Sequence, residues 1–193
     1  MSTVIAITGG IGAGKSVVSR ILRTMGYKVF DCDSEAKRLM DSDPEIKKRL
    51  VNEIAPDTVV DGKINRPVLA GHVFNSPEKL AILNNISHTA VKNALNEWIK
   101  VNSSQELLFV ETALLYASGL NRIVDSEWRV EAPVDLRVER VMLRNHTSAQ
   151  KVMERINAQA GETIGTEPYP ALSRITNDNR IPLLPQIHAL LTH

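Results

Sequence analysis

Four glycines, a lysine and a hydroxyl follow one another at fixed spacing near the start of the chain, in Gly9-Gly10-Ile11-Gly12-Ala13-Gly14-Lys15-Ser16. The spacing G-x-x-x-x-G-K-S forms a loop whose backbone N–H groups turn inward on phosphate oxygens, because glycine accepts the required φ and lets the backbone come close. Lys15 adds a mobile positive charge, and Ser16 an oxygen of the kind Mg²⁺ takes as a ligand. The helix beginning here, with Val17 in its first turn, turns its positive dipole end to the same anion. Gly12, Ala13, Gly14, Lys15, Ser16 and Val17 are therefore candidate nucleotide-binding residues, and Lys15 is also a catalytic candidate. The dinucleotide pattern G-x-G-x-x-G does not fit. Gly10-Ile11-Gly12-Ala13-Gly14 lacks the third-glycine spacing, and the Lys-Ser pair belongs to triphosphates. ATP with Mg²⁺ is the expected ligand.

Phosphoryl transfer also needs a carboxylate near the moving group, to accept the acceptor's hydroxyl proton or to order Mg²⁺. Asp31 and Asp33 follow a second short strand at the same sheet edge, and they would point alike if that strand ran on. Asp33 is the candidate base, with helix capping beside Ser34 as its other reading. Asp31 reads as an acceptor-side residue or equally as a structural turn acid. Glu111 ends a later strand in the place of a Walker-B-type acid. Holding Mg²⁺ through water and capping a helix near Ala113 both remain open for it. Arg140 and Arg144, four residues apart on one helical face, can converge on a polyphosphate. Arg140 is the candidate for offsetting transition-state charge. Among the five histidines only His88, inside a long helical stretch, draws notice, and a satisfied structural histidine is the default there.

These residues need a scaffold, and the composition is that of an α/β domain with a full core, at 193 residues and 43% apolar content. The net charge of +1 gives no global basic field of the kind nucleic acid or anionic membrane attracts, so neither is an expected partner. Cys32 is the single cysteine, which excludes an internal disulfide and fits a reducing compartment. No apolar run approaches the roughly 18 residues of a membrane helix, and the opening residues lack a basic stretch with a cleavage site. A soluble, cytoplasmic protein is expected, of a single P-loop domain.

The pattern predicts strands at Val4–Thr8 and Tyr27–Phe30 around a helix at Lys15–Met25, which Gly26 ends, then a helix at Glu35–Met40 capped by Ser34. From Pro44 to Trp98 it shows no convincing strand. Helices are read at Pro44–Ile54, Arg66–Phe74 and Pro77–Lys100, with a turn at Asp61-Gly62. Strand character returns at Leu107–Val110 and Trp128–Ala132. Helices follow at Asp135–Arg144 and Ala149–Gln159, then a Gly/Pro/Thr loop, a weak strand at Leu172–Thr176 and a last helix at Pro182–Leu191. Strands separated by helices imply a mostly parallel sheet, with ligands at its carboxyl edge.

Taken in order, these segments resemble the dephospho-coenzyme A kinases, the family of the last step in coenzyme A synthesis. ITGGIGAGKSVVSR is similar to that family's opening, and VFDCDSEAKRLM to its hydrophobic-D-x-D helix entry, which puts Asp33 on the position of the catalytic base. DGKINRPVLAGHVF resembles the block that carries Arg66. PEKLAILNNISHTAV resembles the stretch ending in L-H-P, with His88 on its histidine. VERVMLRN is similar to the lid segment with Arg140 and Arg144, RINAQ to a motif carrying Arg155 and Gln159, and SRITNDN to the segment that puts Asn177 near the adenine. The resemblance implies an α/β fold with a P-loop kinase core (about 1–33 and 105–193), an inserted helical acceptor-binding domain (about 34–104) and a lid (about 140–170). It implies ATP-dependent phosphorylation of the ribose 3′-hydroxyl of dephospho-CoA, with Arg66, His88 and the Leu114–Tyr116 region, Leu115 included, on the acceptor side. Against the family pattern, Ala117 stands where a glutamate is usual, and Gly161 to Pro170 replaces a basic lid segment. Two other readings share the same loop: a different small-molecule or nucleotide kinase, and a nucleotide-binding relative with reduced or lost turnover.

Overall fold

Strand β1 (Thr3–Thr8) lies at the centre of the sheet because its side chains are apolar on both faces. Val4, Ile5, Ala6 and Ile7 are all buried, a pattern that only a strand covered on both sides can satisfy. The computed structural model describes residues 2–160 and 170–192. Next to β1 run β5 (Leu107–Glu111) and β6 (Ser126–Glu131), and outside them β2 (Lys28–Asp31) and β7 (Ala171–Thr176). The order is β2-β5-β1-β6-β7 and every pairing is parallel. The register sets Ile7 opposite Glu111, and Asp31 opposite Glu111, so all three reach one carboxyl edge.

The chain folds as two compact units, residues 1–31 with 102–193, and residues 32–101. In the first, Ile7, Phe109, Trp128 and Val130 of the sheet pack with Val18 and Leu22 of α1 (Lys15–Thr24) and Ile187 of α8 (Leu183–Leu191). Phe109 meets Tyr27 edge-on at 5.4 Å and Trp128 at 5.2 Å, contacts worth about 0.5–1.5 kcal/mol each beyond their buried area. Helix α1 stops where Gly26 takes φ 94°. The Gly26 and Tyr27 N–H groups then return to the carbonyls of Arg23 and Leu22 at 3.1 and 3.0 Å, which satisfies acceptors the helix end would otherwise strand. A smaller apolar cluster, Val141, Val152 and Ile156, joins α6 (Val134–Asn145) to α7 (Ala149–Ala160), and Ile11 of the glycine loop packs on it.

The second unit is built from α2 (Cys32–Ser42), α3 (Pro44–Glu53), α4 (Arg66–Phe74) and α5 (Pro77–Val101) around Ile46, Leu50, Ile54, Leu69 and Ile86. Asp43 accepts from the Glu45 N–H at 2.8 Å and Asn65 from the Val68 N–H at 3.4 Å, so a side chain caps each of α3 and α4.

The structure corrects the sequence reading in three places: the start of α2, a hairpin and the start of β6. Helix α2 begins at Cys32, directly after β2, so Ser34 lies inside its first turn and does not cap it. Asp31 and Asp33 consequently do not share a strand's period of two, because the chain turns helical between them. A short antiparallel hairpin, β3 (Val59–Val60) with β4 (Lys63–Ile64), stands where no strand is expected. Strand β6 starts two residues before Trp128, which brings Ser126 and Glu127 into the sheet. Of the segment expected to form a lid, Gly161 to Tyr169 lies outside the described residues. Among the described residues no helix is long and apolar enough to cross a membrane.

Candidate phosphate-binding site

The glycine loop leaves β1 at Gly9 and enters α1 at Gly14. Gly9 has φ 135°, and a β-carbon there would lie 2.3 Å from the Val130 carbonyl oxygen. Gly14 has φ 103° and would carry its β-carbon 2.1 Å from Asn177 Nδ2. A side chain is strained at both positions by the positive φ, and at Gly9 it would also press on backbone atoms that no rotamer change can move. Gly14 is the N-cap of α1 and supplies no side-chain acceptor, which leaves first-turn amides of α1 for a ligand oxygen. Lys15 Nζ donates to the Gly9 carbonyl at 2.7 Å, and this holds the ammonium against the loop. Ser16 and Val17 follow, both exposed.

The loop's carbonyls are engaged from outside. Arg137 Nε donates to the Ile11 carbonyl at 2.9 Å, Arg140 Nη1 to that of Gly12 at 3.4 Å, and Asn177 Nδ2 to that of Ala13 at 2.8 Å. Gln159 Oε1 accepts the Ile11 N–H at 2.8 Å. With these carbonyls turned outward onto donors, the remaining amides face a potential that favours anions. Arg140 also donates from Nη2 to Asn179 Oδ1 at 2.6 Å and to the Asn177 carbonyl at 3.2 Å. It thereby ties α6 to the segment after β7. Arg144 is exposed and donates to Asn145 Oδ1 at 3.1 Å. The structure thus brings Arg140 and Asn177 together on the loop and directs Arg144 elsewhere. The sequence reading missed Arg137. Burial pushes its guanidinium below the ordinary value, though an arginine stays charged at any working pH.

At the carboxyl edge of the sheet, Asp31 and Glu111 stand side by side in register. Burial and the neighbouring Asp31 charge push the Glu111 carboxyl up, against the opposing pull of the Ser19 hydroxyl, Lys15 and Arg23. Two adjacent carboxylates, one disfavoured in its charged form, are hard oxygen donors of the type Mg²⁺ takes, as is the Ser16 hydroxyl at the start of α1. Asp33 is exposed in the first turn of α2. In the second unit Arg66 is the first residue of α4 and pairs with Asp41 at 2.6 Å, both side chains largely in solvent. His88 is half-buried in α5.

A further cluster carried no local signal beyond two charges alternating with apolar residues in Glu127-Trp128-Arg129-Val130. Glu127 is 1% exposed. Its carboxylate accepts from the Thr8 hydroxyl, from Tyr116 Oη at 2.8 Å, and from Arg129 Nε and Nη2 at 2.9 and 3.2 Å. Burial pushes this carboxyl up, but the bonds from Arg129, Thr8 and Tyr116 outweigh it and hold the group below its ordinary value. Glu127 and Arg129 line a small cleft of about 30 Å³ together with Gly9, Gly10, Leu115 and Tyr116. Leu115 is buried and forms part of that wall.

Comparison with known proteins identifies the family and the fold. The family described as Dephospho-CoA kinase matches residues 3–181. The dephospho-CoA kinase of Bacteroides fragilis is 37% identical over 191 residues, covering 99% of this chain and 92% of the relative. That of Porphyromonas gingivalis is 41% identical over 158 residues, covering 82% and 78%. A crystal structure from Thermus thermophilus superposes with a TM-score of 0.76 at 32% identity, covering 99% of this chain and 95% of the other. The dephospho-CoA kinase from Campylobacter jejuni, at 21% identity, shares the fold with a TM-score of 0.69, covering 100% and 96%. A phosphate loop on a five-stranded parallel sheet, with a family match spanning nearly the whole chain, makes this protein a member of the dephospho-CoA kinase family.

Proposed function

We propose that the protein transfers the γ-phosphoryl group of ATP to the ribose 3′-hydroxyl of dephospho-CoA, giving CoA and ADP. The observation that carries the reading is the glycine loop, with Lys15 held against it and carbonyls turned onto Arg137, Arg140 and Asn177. The family match supplies the acceptor. In the transfer, the 3′-oxygen forms a bond to the γ-phosphorus as the bridging P–O bond to the β-phosphate breaks, and ADP leaves. The loop amides and Lys15 hold the β- and γ-phosphates, and Arg140 offsets the charge that spreads over the moving group. Asp33 takes the hydroxyl proton, an assignment that rests on the resemblance of its segment to the family's helix entry. Arg66, His88 and Leu115 are assigned to the acceptor on the same ground, and Asn177 to the adenine. Ser16 would hold Mg²⁺, with Asp31 and Glu111 as the carboxylates available beside it. Bound there, the ion would supply charge neutralisation at the phosphates. A location in the cytoplasm belongs to the same proposal.

Ala117, where the family carries a glutamate, favours a second reading in which nucleotide binds without turnover. One assay decides between the two. ADP release is followed with dephospho-CoA, with AMP and with adenosine as acceptor. The proposal expects turnover with dephospho-CoA well above the other two. Equal or better turnover with AMP overturns the acceptor, and ATP binding without transfer to any of the three favours the second reading.

A further inference from the structure

The Glu127–Arg129 pair lies on a strand whose neighbouring side chains, Trp128 and Val130, are apolar and buried. Replacing such a pair by apolar residues commonly leaves a fold as stable or more so, so stability does not account for charges here. Their hydrogen bonding separates the roles of the two residues. A carboxylate has about four acceptor sites, and Glu127 fills them with Thr8, Tyr116 and the two Arg129 bonds. It has no lone pair to spare for a proton or a metal. Arg129 spends two of its five N–H hydrogens on Glu127, and its side chain is 22% exposed at the cleft that Gly9 and Gly10 also line. A guanidinium fixed from behind by a bidentate carboxylate is pre-organised to donate a second pair of bonds to an anion.

We infer that Arg129 binds a phosphate oxygen of one of the two substrates in this cleft, and that Glu127 is a positioning residue that fixes the guanidinium fork. The inference rests on the proposed function for the identity of those substrates. Two sources offer the same chemistry, the γ-phosphate of ATP and the diphosphate of dephospho-CoA.

The test uses the full chain with Arg129→Met, Arg129→Lys, Glu127→Gln and the double variant Glu127→Gln/Arg129→Met, which leaves no unpaired buried charge. ATP, dephospho-CoA and inorganic pyrophosphate are titrated by calorimetry, and KM and kcat are measured alongside. Loss of a charged hydrogen-bond pair should raise the Kd of one substrate roughly 10- to 100-fold, with the other within about twofold. The substrate that moves identifies the source. Glu127→Gln should raise the KM of that same substrate more than it lowers kcat, a split that a general loss of structure does not give. Unchanged affinities in a double variant that melts normally overturn the inference. So does an equal loss for both substrates, which would assign the pair to structure. If the double variant does not fold, Arg129→Lys still opposes the Glu127 charge without the fork, and an unchanged Kd in that variant overturns the inference equally. The ATP and pyrophosphate titrations need no acceptor. A wild type that fails to phosphorylate dephospho-CoA therefore counts against the proposed function while leaving the Arg129 readout intact.

Discussion

Replacing Gly9 by alanine separates two costs that the structure keeps apart at different glycines. Gly26 has φ 94° with nothing within 4 Å of a β-carbon, so Gly26→Ala bears only the conformational penalty of an L-residue at positive φ, about 1–2 kcal/mol. Gly9, at φ 135°, lies in a region essentially reserved for glycine, at about 1–3 kcal/mol. Its β-carbon would in addition meet the Val130 carbonyl oxygen at 2.3 Å and carbon at 3.2 Å. Those are backbone atoms of the neighbouring strand, so no rotamer change relieves the contact, and relief by backbone movement adds about 1–3 kcal/mol. The totals are about 1–2 kcal/mol for Gly26→Ala and about 2–6 kcal/mol for Gly9→Ala. At about 2–4 °C per kcal/mol for a chain of this size, both variants should melt below wild type, Gly9→Ala lowest by several degrees. Scanning calorimetry reads the order. The loop displacement should also weaken ATP at least about tenfold in Gly9→Ala alone, a loss of about 1.4 kcal/mol. Gly9→Ala melting at or above Gly26→Ala, with wild-type ATP affinity, would refute the close-approach argument.

Three further outcomes are expected. Lys15→Ala should keep the fold by circular dichroism yet lose transfer and bind ATP more weakly, and near-wild-type turnover would remove Lys15 from the site. Asp33→Asn should slow single-turnover transfer about 10²-fold or more while both substrates bind within about tenfold of wild type; an unchanged rate shifts the base to Asp31 or Glu111. Glu111 is pushed up in the folded protein, so above its raised value the folded state bears the cost of a partly desolvated charge, and below the ordinary glutamate range the cost is gone. Glu111→Gln should therefore raise the melting temperature at about pH 7.5 and lose that advantage at about pH 3.5, and a gain that is the same at both values contradicts the assigned cause.

Much of the fold was legible because local chemistry marks it. The loop between β1 and α1 is written in its glycines and Lys15-Ser16, and α4 follows the expected Arg66–Phe74 because Asn65 and Pro67 signal its start. The hairpin at Val59–Val60 and Lys63–Ile64 escaped notice because two residues per strand are too short to show a period. Ser34 misled because a good capping residue does not cap when the helix has already begun at Cys32. What surrounds the loop was less legible, since its partners are distant in sequence. Gln159 reaches Ile11 across 148 residues, Arg137 reaches it across 126, and Thr8 meets Glu127 across 119. No local pattern encodes such pairs. Arg140, Asn177 and Gln159 were reached through the family resemblance of their segments, whereas Glu127 and Arg129 showed only as opposite charges two residues apart in a strand that also carries Ser126 and Glu131.

The central claim is that the new phosphate goes onto the ribose 3′-oxygen of dephospho-CoA. The direct measurement incubates the purified full chain with ATP, Mg²⁺ and dephospho-CoA and maps the product by mass spectrometry and phosphorus NMR. The account predicts one added phosphoryl group on the 3′-oxygen, formed in equal amount to ADP and absent when Lys15 is replaced by alanine. ADP formed without phosphorylated product, or a phosphate on any other oxygen, would contradict it.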